Sequence, residues 1–531
     1  MRYHFLSSQL FKPTPRSFPV MSSKELVLLK EQLELFLLSH PQTIISDPRA
    51  GWIRLEDSRF CFEVQFGKLI FTLWNSEQSV TRRICGIEQC DRDRLVLRTA
   101  YGGIPSIEMV FDANLSSGAI AEKRAARRKF PSKLLRMLRL FCPEIRVDRV
   151  TSGRDLSRSF SEHYCRGIGV EGNRQWALFG VNACEDQVTI DACLSFALIW
   201  LEELRRAQGR QVVAGLKLLI PTGRSETLTT RAAFLQQSGL RVDVLAYEDR
   251  NGLGYFLDLA DYGNLDTRLS RVDRVPLPLE QIPCHLLPPA VRSRLELIEI
   301  IHRPASAMFS IRYRGLEFAR LSDERHPKLT FGVGAMETLY DRSLENELSR
   351  LIDNLESIRR PGSLLPLHPF YRLQSERWLE SLVLSDIRRI QFDLDPNFVY
   401  PQVPAFSGLD RGVIDILTLT RDRRLAVVEL KVTEDINLPL QALDYWTRVK
   451  WHHGRGDFER QGYFSGVKVG PQSPVVLLVC PSFRFHSTTE GILKYFPREI
   501  EVIKVGINEN WREGIQVLYR RKAWRANDLN S

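Results

Sequence analysis

Little in this chain points to a membrane, a disulfide scaffold or a zinc module. No stretch reaches the roughly 18 uninterrupted apolar residues that a spanning helix needs. The nine cysteines are odd in number and scattered, with no Cys-x-x-Cys pair, which argues against a disulfide framework. Several sit in apolar runs, Cys193 and Cys480 among them, and are expected as reduced thiols. No Cys/His spacing fits a structural zinc site. The opening MRYHFLSSQLFKPTPRSFPV is basic but lacks the continuous apolar centre of a secretory signal. Residues 1–22 are therefore expected as a disordered tail, with Met21 as an alternative start, and the protein as cytoplasmic. Low-complexity tracts and repeats of solenoid period are missing too. The net charge of +10 is a mild basic excess that accommodates a polyanionic partner without requiring one.

What is present is the profile of a folded chain, 44% apolar and 26% charged. Its 531 residues suggest roughly three or four domains. Apolar spacing at Leu26, Leu28, Leu29, Leu33, Leu35, Phe36 and Leu37 predicts a helix from Ser23 to Ser39. Alternation then predicts hairpins: Phe62–Phe66 with Leu69–Leu73 through Gly67-Lys68, and Arg94–Ala100 with Ile107–Phe111 through Gly102-Gly103. Residues 23–120 thus read as a helix plus a β-rich domain.

The segment AEKRAARRKFPSKLLRMLRLF is the densest basic run. It reads either as a solvated helix face, with Leu134, Leu135, Leu138 and Leu140 turned inward, or as a phosphate-tracking stripe led by Arg127, Arg128 and Lys129. From Trp176 to Asp249 buried strands alternate with amphipathic helices, the pattern of a crossover sheet, so 121–280 is expected as an α/β domain. A small mixed region spans 281–365. It ends in RRPGSLLPLHP, a linker by composition.

The most informative stretch is GVIDILTLTRDRRLAVVELKVTEDINLPLQ, Gly412 to Gln441. Two apolar runs flank a polar turn, and Asp415 and Glu429 lie equally far from Asp422. A hairpin turning there sets the two acids opposite each other. Glu429 and Lys431 share a strand face, with Leu430 behind. Ionisable groups in such apolar runs are costly unless paired or holding a metal. Two carboxylates at one point offer hard oxygen ligands for Mg²⁺.

Asp-x13-Glu-x-Lys, followed ten residues later by Gln441 on a helix, resembles the PD-(D/E)xK nuclease superfamily. Within it, the nearest likeness is the branch of archaeal Holliday-junction resolvases and mismatch endonucleases. The resemblance covers roughly residues 370–510. Ile414 stands where the signature names proline. Length and the pattern along the whole chain predict an α/β (α+β multi-domain) protein, to which the likeness adds the fold of one domain. Its C-terminal domain, 366–525, would be a restriction-endonuclease-like mixed sheet flanked by helices.

It also implies a Mg²⁺- or Mn²⁺-dependent endodeoxyribonuclease, acting in DNA repair or recombination. Asp415, Glu429 and the Leu430 carbonyl would be metal ligands, Lys431 would position water, and Glu376 or Glu380 of SERWLESLV would be an outer ligand. Gln441 would orient water or lysine, while Tyr445, Arg448 and Lys450 would approach phosphate. At most one of His452 and His453 can face a metal. Some relatives carry a DNA-binding N-terminal β domain, and many dimerise, which leaves a homodimer open. The α/β domain at 121–280 reads as a degenerate copy of the same fold, since Gly215-Leu216-Lys217 lacks the acid. Two other classes stay open: an inactive nucleic-acid-binding module, and a structural or interaction protein.

Overall fold

The computed structural model describes residues 23–523 apart from 48–50, 57, 66–67, 75–78, 92, 102–103, 114–117, 156–159, 208–211, 238–239, 250–251, 261–266, 278, 305–306, 323–325, 334–337, 367 and 408–411. The expected N-terminal tail and the glycines of the two early hairpin turns lie outside the described residues. The chain is mixed α/β with several sheets. It divides into two compact units, Met1–Ile120 with Thr330–Leu339, and Ala121–Leu329 with Tyr340–Ser531.

In the first unit a helix spans Ser23–Ser39. Leu26, Leu29, Leu33 and Leu37, spaced by three and four, form one stripe buried with Phe62, Phe71 and Phe111 of the sheet. Leu28 and Leu35 are exposed instead. The sheet has seven strands, and both expected hairpins belong to it, with Phe62 opposite Phe71. Its longest strand, Ser79–Cys90, escapes the sequence pattern because SVTRRICGIEQC interleaves charge with apolar residues. Arg82 in that strand is buried and makes two 2.8 Å hydrogen bonds to Asp47, which offset its desolvation.

The second unit holds two α/β halves. The first opens with helix α1 (Gly118–Phe141), followed by β1 (Arg146–Thr151), β2 (Tyr164–Glu171), β3 (Arg174–Val181), α2 (Cys193–Arg206), β4 (Val212–Pro221), α3 (Glu226–Gln237), β5 (Arg241–Tyr247) and β6 (Gly254–Phe256). Its sheet runs in the order of the chain, β1 to β6. The β1–β2 and β2–β3 pairs are antiparallel, β3–β4 and β4–β5 parallel, and β5–β6 antiparallel. On α1, Leu134 and Leu138 turn inward as the spacing predicts, joined by Phe130 and Met137, whereas Leu140 is exposed.

The connecting segment adds β7 (Thr267–Leu269), then an antiparallel run of β8 (Ile298–Arg303), β9 (Met308–Tyr313) and β10 (Leu316–Ser322), and helix α4 (Glu345–Ile358). The second half comprises α5 (Ser375–Ser385), β11 (Tyr400–Ser407), β12 (Val413–Leu419), β13 (Leu425–Leu430), α6 (Leu438–Arg455), β14 (Val475–Pro481), α7 (Thr489–Leu493), β15 (Glu501–Ile507) and β16 (Val517–Lys522). Its sheet runs β7-β11-β12-β13-β14-β15-β16. From β11 onward the senses are antiparallel, antiparallel, parallel, parallel, antiparallel. Strand order, sense and helix placement therefore match those of the first half. Thr267–Leu269, which the sequence reading leaves with the first half, pairs with β11 instead. Three residues are too few to declare a strand on their own.

The Pro/Gly-rich segment after α4 is not a free linker. Arg359 is fully buried, its guanidinium 4.5 Å from the Trp378 ring centre. It donates to the carbonyls of Phe370, Leu373 and Arg314 at 2.6, 2.7 and 2.8 Å. Gly315, in the turn between β9 and β10, has φ +75°, and a Cβ there would lie 1.9 Å from the Arg377 carbonyl. Only glycine lets this turn rest on the backbone of α5.

Candidate active site

The β12–β13 hairpin turns about Asp422, with Ile416 opposite Val428 and Leu419 opposite Leu425. Continuing that register by one residue brings Asp415 against Glu429. The ladder stops at the Ile416–Val428 pair, and the Asp415 carboxylate takes the next donor, accepting from the Leu430 N–H at 2.9 Å. Every residue of β13 is buried, because β13 lies between β12 and β14 with helices on both faces. Glu429 is 1% exposed. Its Oε1 lies 3.6 Å from Lys431 Nζ, and its Oε2 is buried with no hydrogen-bond partner.

Helix α5 brings the remaining charges. Glu380, also buried, accepts from Arg377 Nη1 at 2.6 Å and from Gln402 Nε2 at 2.9 Å, while its Oε1 is unbonded. The same Arg377 nitrogen is 3.6 Å from Asp415 Oδ1. Glu376, four residues earlier, lies toward Lys431 and Asp415. The two candidate glutamates therefore divide: Glu380 is committed to Arg377 and Gln402, and Glu376 faces the Lys431 side.

Burial and mutual repulsion set the protonation. Burial, then the Glu380 charge, push the Asp415 carboxyl up to about 6. Burial, then Asp415, hold Glu429 well above the usual carboxylate range. Burial also raises Glu376 and Glu380. Burial works against the charge on Lys431, but Glu429, Glu376 and Asp435 outweigh it and hold the ammonium above its ordinary pKa. Lys431 is thus a donor at neutral pH, held between Glu429 and Asp435, the latter at 3.8 Å.

Helix α6 closes one side. Gln441 donates to the Tyr445 hydroxyl at 3.1 Å, and Tyr445, raised by burial and then by the Glu429 charge, lies near the acids. Arg448 is buried with its guanidinium 5.9 Å from the Tyr445 ring centre. Lys450 points elsewhere, to Ser473 at 2.6 Å and Glu499 at 3.9 Å. Nine residues after Gln441, about two and a half turns, it falls on the opposite helix face. His452 is no free ligand, since Nδ1 bonds Asp457 at 2.7 Å and Nε2 bonds Thr267. In α1, Arg127 is spent on Glu185, through 2.6 and 2.8 Å bonds, whereas Arg128 and Lys129 are exposed.

Sequence reasoning missed Arg377, Gln402 and Asp435. Arg377 was within reach, being three residues from Glu380 on one helix. Gln402 carried no signal: it falls in the β11–β12 register between Pro401 and Val403, with φ +56°.

The donor set fits a divalent cation. Two carboxylates with an unbonded buried oxygen between them match Mg²⁺, which is commonly held by one or two protein carboxylates and otherwise by water. Among the described residues, no group of three or more His, Cys, Asp or Glu side chains is placed to hold a metal ion. No family model matches the chain, and no curated protein matches it.

Proposed function

We propose that the second α/β half is a metal-dependent nuclease of PD-(D/E)xK type, on a restriction-endonuclease-like sheet, hydrolysing DNA phosphodiesters. One observation carries the reading: Asp415 and Glu429 are forced together in a buried corner, and Glu429 Oε2 has no partner. A fold keeps such a costly pair where a cation completes it. Asp415, Glu429 and the Leu430 carbonyl would hold Mg²⁺ or Mn²⁺. When bound, the ion supplies charge stabilisation at the phosphate and acidifies its water.

The residues supply the rest. Lys431, protonated and fixed by Glu429 and Asp435, donates to the attacking water or to a phosphate oxygen. Glu376 orients the same water from the helix side. Arg377 and Gln402 keep Glu380 in place and Asp415 facing inward. In the reaction a water oxygen bonds to phosphorus and one P–O ester bond breaks. Of the water's two protons, one reaches the leaving sugar oxygen through solvent and the other stays on the new phosphate monoester or is released from it to solvent.

Branched, single-stranded and duplex DNA, end-labelled and incubated with the full chain, should be cut with Mg²⁺ or Mn²⁺, but neither in chelator nor by Lys431→Ala. DNA that shifts on a gel yet stays intact would assign the chain as an inactive binding protein. Neither cutting nor binding would leave only a structural role.

A further inference from the structure

The two halves of the second unit are paired as well as alike. Helix α2 of the first half packs on α7 of the second, and α6 of the second packs on α3 of the first. The first crossover helix of each half thus meets the second crossover helix of the other, which is the reciprocity of a two-fold axis. One continuous apolar core joins them, with Leu198 and Leu201 on one side and Trp446 and Leu493 on the other. The seam is also bonded: Arg231 to Asp444 at 2.7 Å, Ser195 to Asn437 at 2.7 Å, and Arg205 to the Tyr495 hydroxyl at 2.7 Å.

Strand positions then identify what the first half carries where the second carries its acids. Glu429 neighbours Leu478 on β14, three residues before the terminal Pro481; Phe179 neighbours Leu218 on β4, three before the terminal Pro221. Phe179 therefore stands for Glu429 and Val181 for Lys431, while Arg166, opposite Phe179, stands for Asp415. Arg166 lies 4.5 Å from the Phe160 ring centre and donates to the Gly153 carbonyl. The equivalent of Glu-x-Lys is thus Phe179-Gly180-Val181 on β3, one strand earlier than Gly215-Leu216-Lys217. An apolar pocket capped by a cation cannot hold Mg²⁺.

In place of α5 with its glutamates, the first half has α1. Arg124, Arg128, Lys129, Arg136 and Arg139 are all exposed there. At 100° per residue they fall within an arc of about 140°, on one side of the helix.

We infer that each chain is an internal pseudo-dimer with one cutting half and one holding half: α1 grips the backbone of a DNA duplex while the Asp415–Glu429 site breaks a single strand. The inference rests on the nuclease reading and names its substrate and product. A symmetric pair of active sites would sever both strands; here one position of the pair has no ligands.

The test is supercoiled plasmid with Mn²⁺ and the full chain. Open circles should accumulate first, with linear DNA only after nicks crowd. Linear DNA formed alongside open circles from the earliest times would overturn the single-strand assignment while leaving the nuclease intact. No cleavage at all would remove the nuclease reading and this inference with it. The holding role is read separately, with Arg124, Arg128, Lys129 and Arg136 all changed to Ala. The KM for plasmid should rise at least ~10-fold with kcat unchanged, and its logarithmic salt dependence should weaken by about 3–4. An unchanged KM and salt slope would overturn the role of α1.

Discussion

Asp415→Asn stabilises the folded chain at pH 7.5 while it removes cleavage. In chelator, burial and then the Glu380 charge push the Asp415 carboxyl up to about 6 from its ordinary 3.8. Below about pH 4 both folded and unfolded carboxyls are protonated, and the site costs nothing. Between pH 4 and 6 the unfolded chain ionises first, so stability falls as pH rises; above about 6 the penalty is complete. A shift of about two units corresponds to roughly 3 kcal/mol. The asparagine carbonyl still accepts from Leu430, so most of that should return, on the order of 5 °C in midpoint. The gain should disappear at pH 4. Cleavage should fall by at least ~100-fold, beyond what losing an outer-shell partner costs a metal site. Thermal melts at pH 4, 6 and 7.5 check the stability arm. An asparagine variant less stable than wild type at pH 7.5 would show that the acids hold the fold together.

Arg359→Ala acts in the opposite direction. It removes a fully buried side chain and leaves the carbonyls of Phe370, Leu373 and Arg314 without their donor, beside a cavity against Trp378. The expected loss is about 3–4 kcal/mol. Phe370 and Leu373 lead into Gln374, whose φ of +48° starts α5 two residues before Glu376. The variant should therefore cleave poorly even where it stays folded. Urea denaturation and cleavage at low temperature separate the two effects. Unchanged stability would mean that water replaces the guanidinium.

The hairpin was legible because strand alternation and the equal spacing about Asp422 are both local. Strands β4 and β5 run Val212–Pro221 and Arg241–Tyr247, the bounds their apolar runs imply. What stayed hidden depends on partners distant in sequence. Arg359 looks like linker until its three carbonyls are known, and Thr267–Leu269 looks like loop until β11 lies beside it. Arg127 looks like a phosphate ligand, yet Glu185, 58 residues away, claims it. Lys450 was misjudged for a local reason, since nine residues reverse a helix face. The acid-less half was visible as alternating strands and helices, but its pairing with the second half required the reciprocal helices.

The most direct test of the central claim is Mn²⁺ binding to the full chain by electron paramagnetic resonance, wild type beside Asp415→Asn. Wild type should bind at pH 7.5 and lose affinity as pH falls through about 6, where protons compete for Asp415, and the variant should not bind at either pH. Equal binding by both proteins, or none by the wild type at pH 7.5, would contradict the assignment of Asp415 and Glu429 as a metal site.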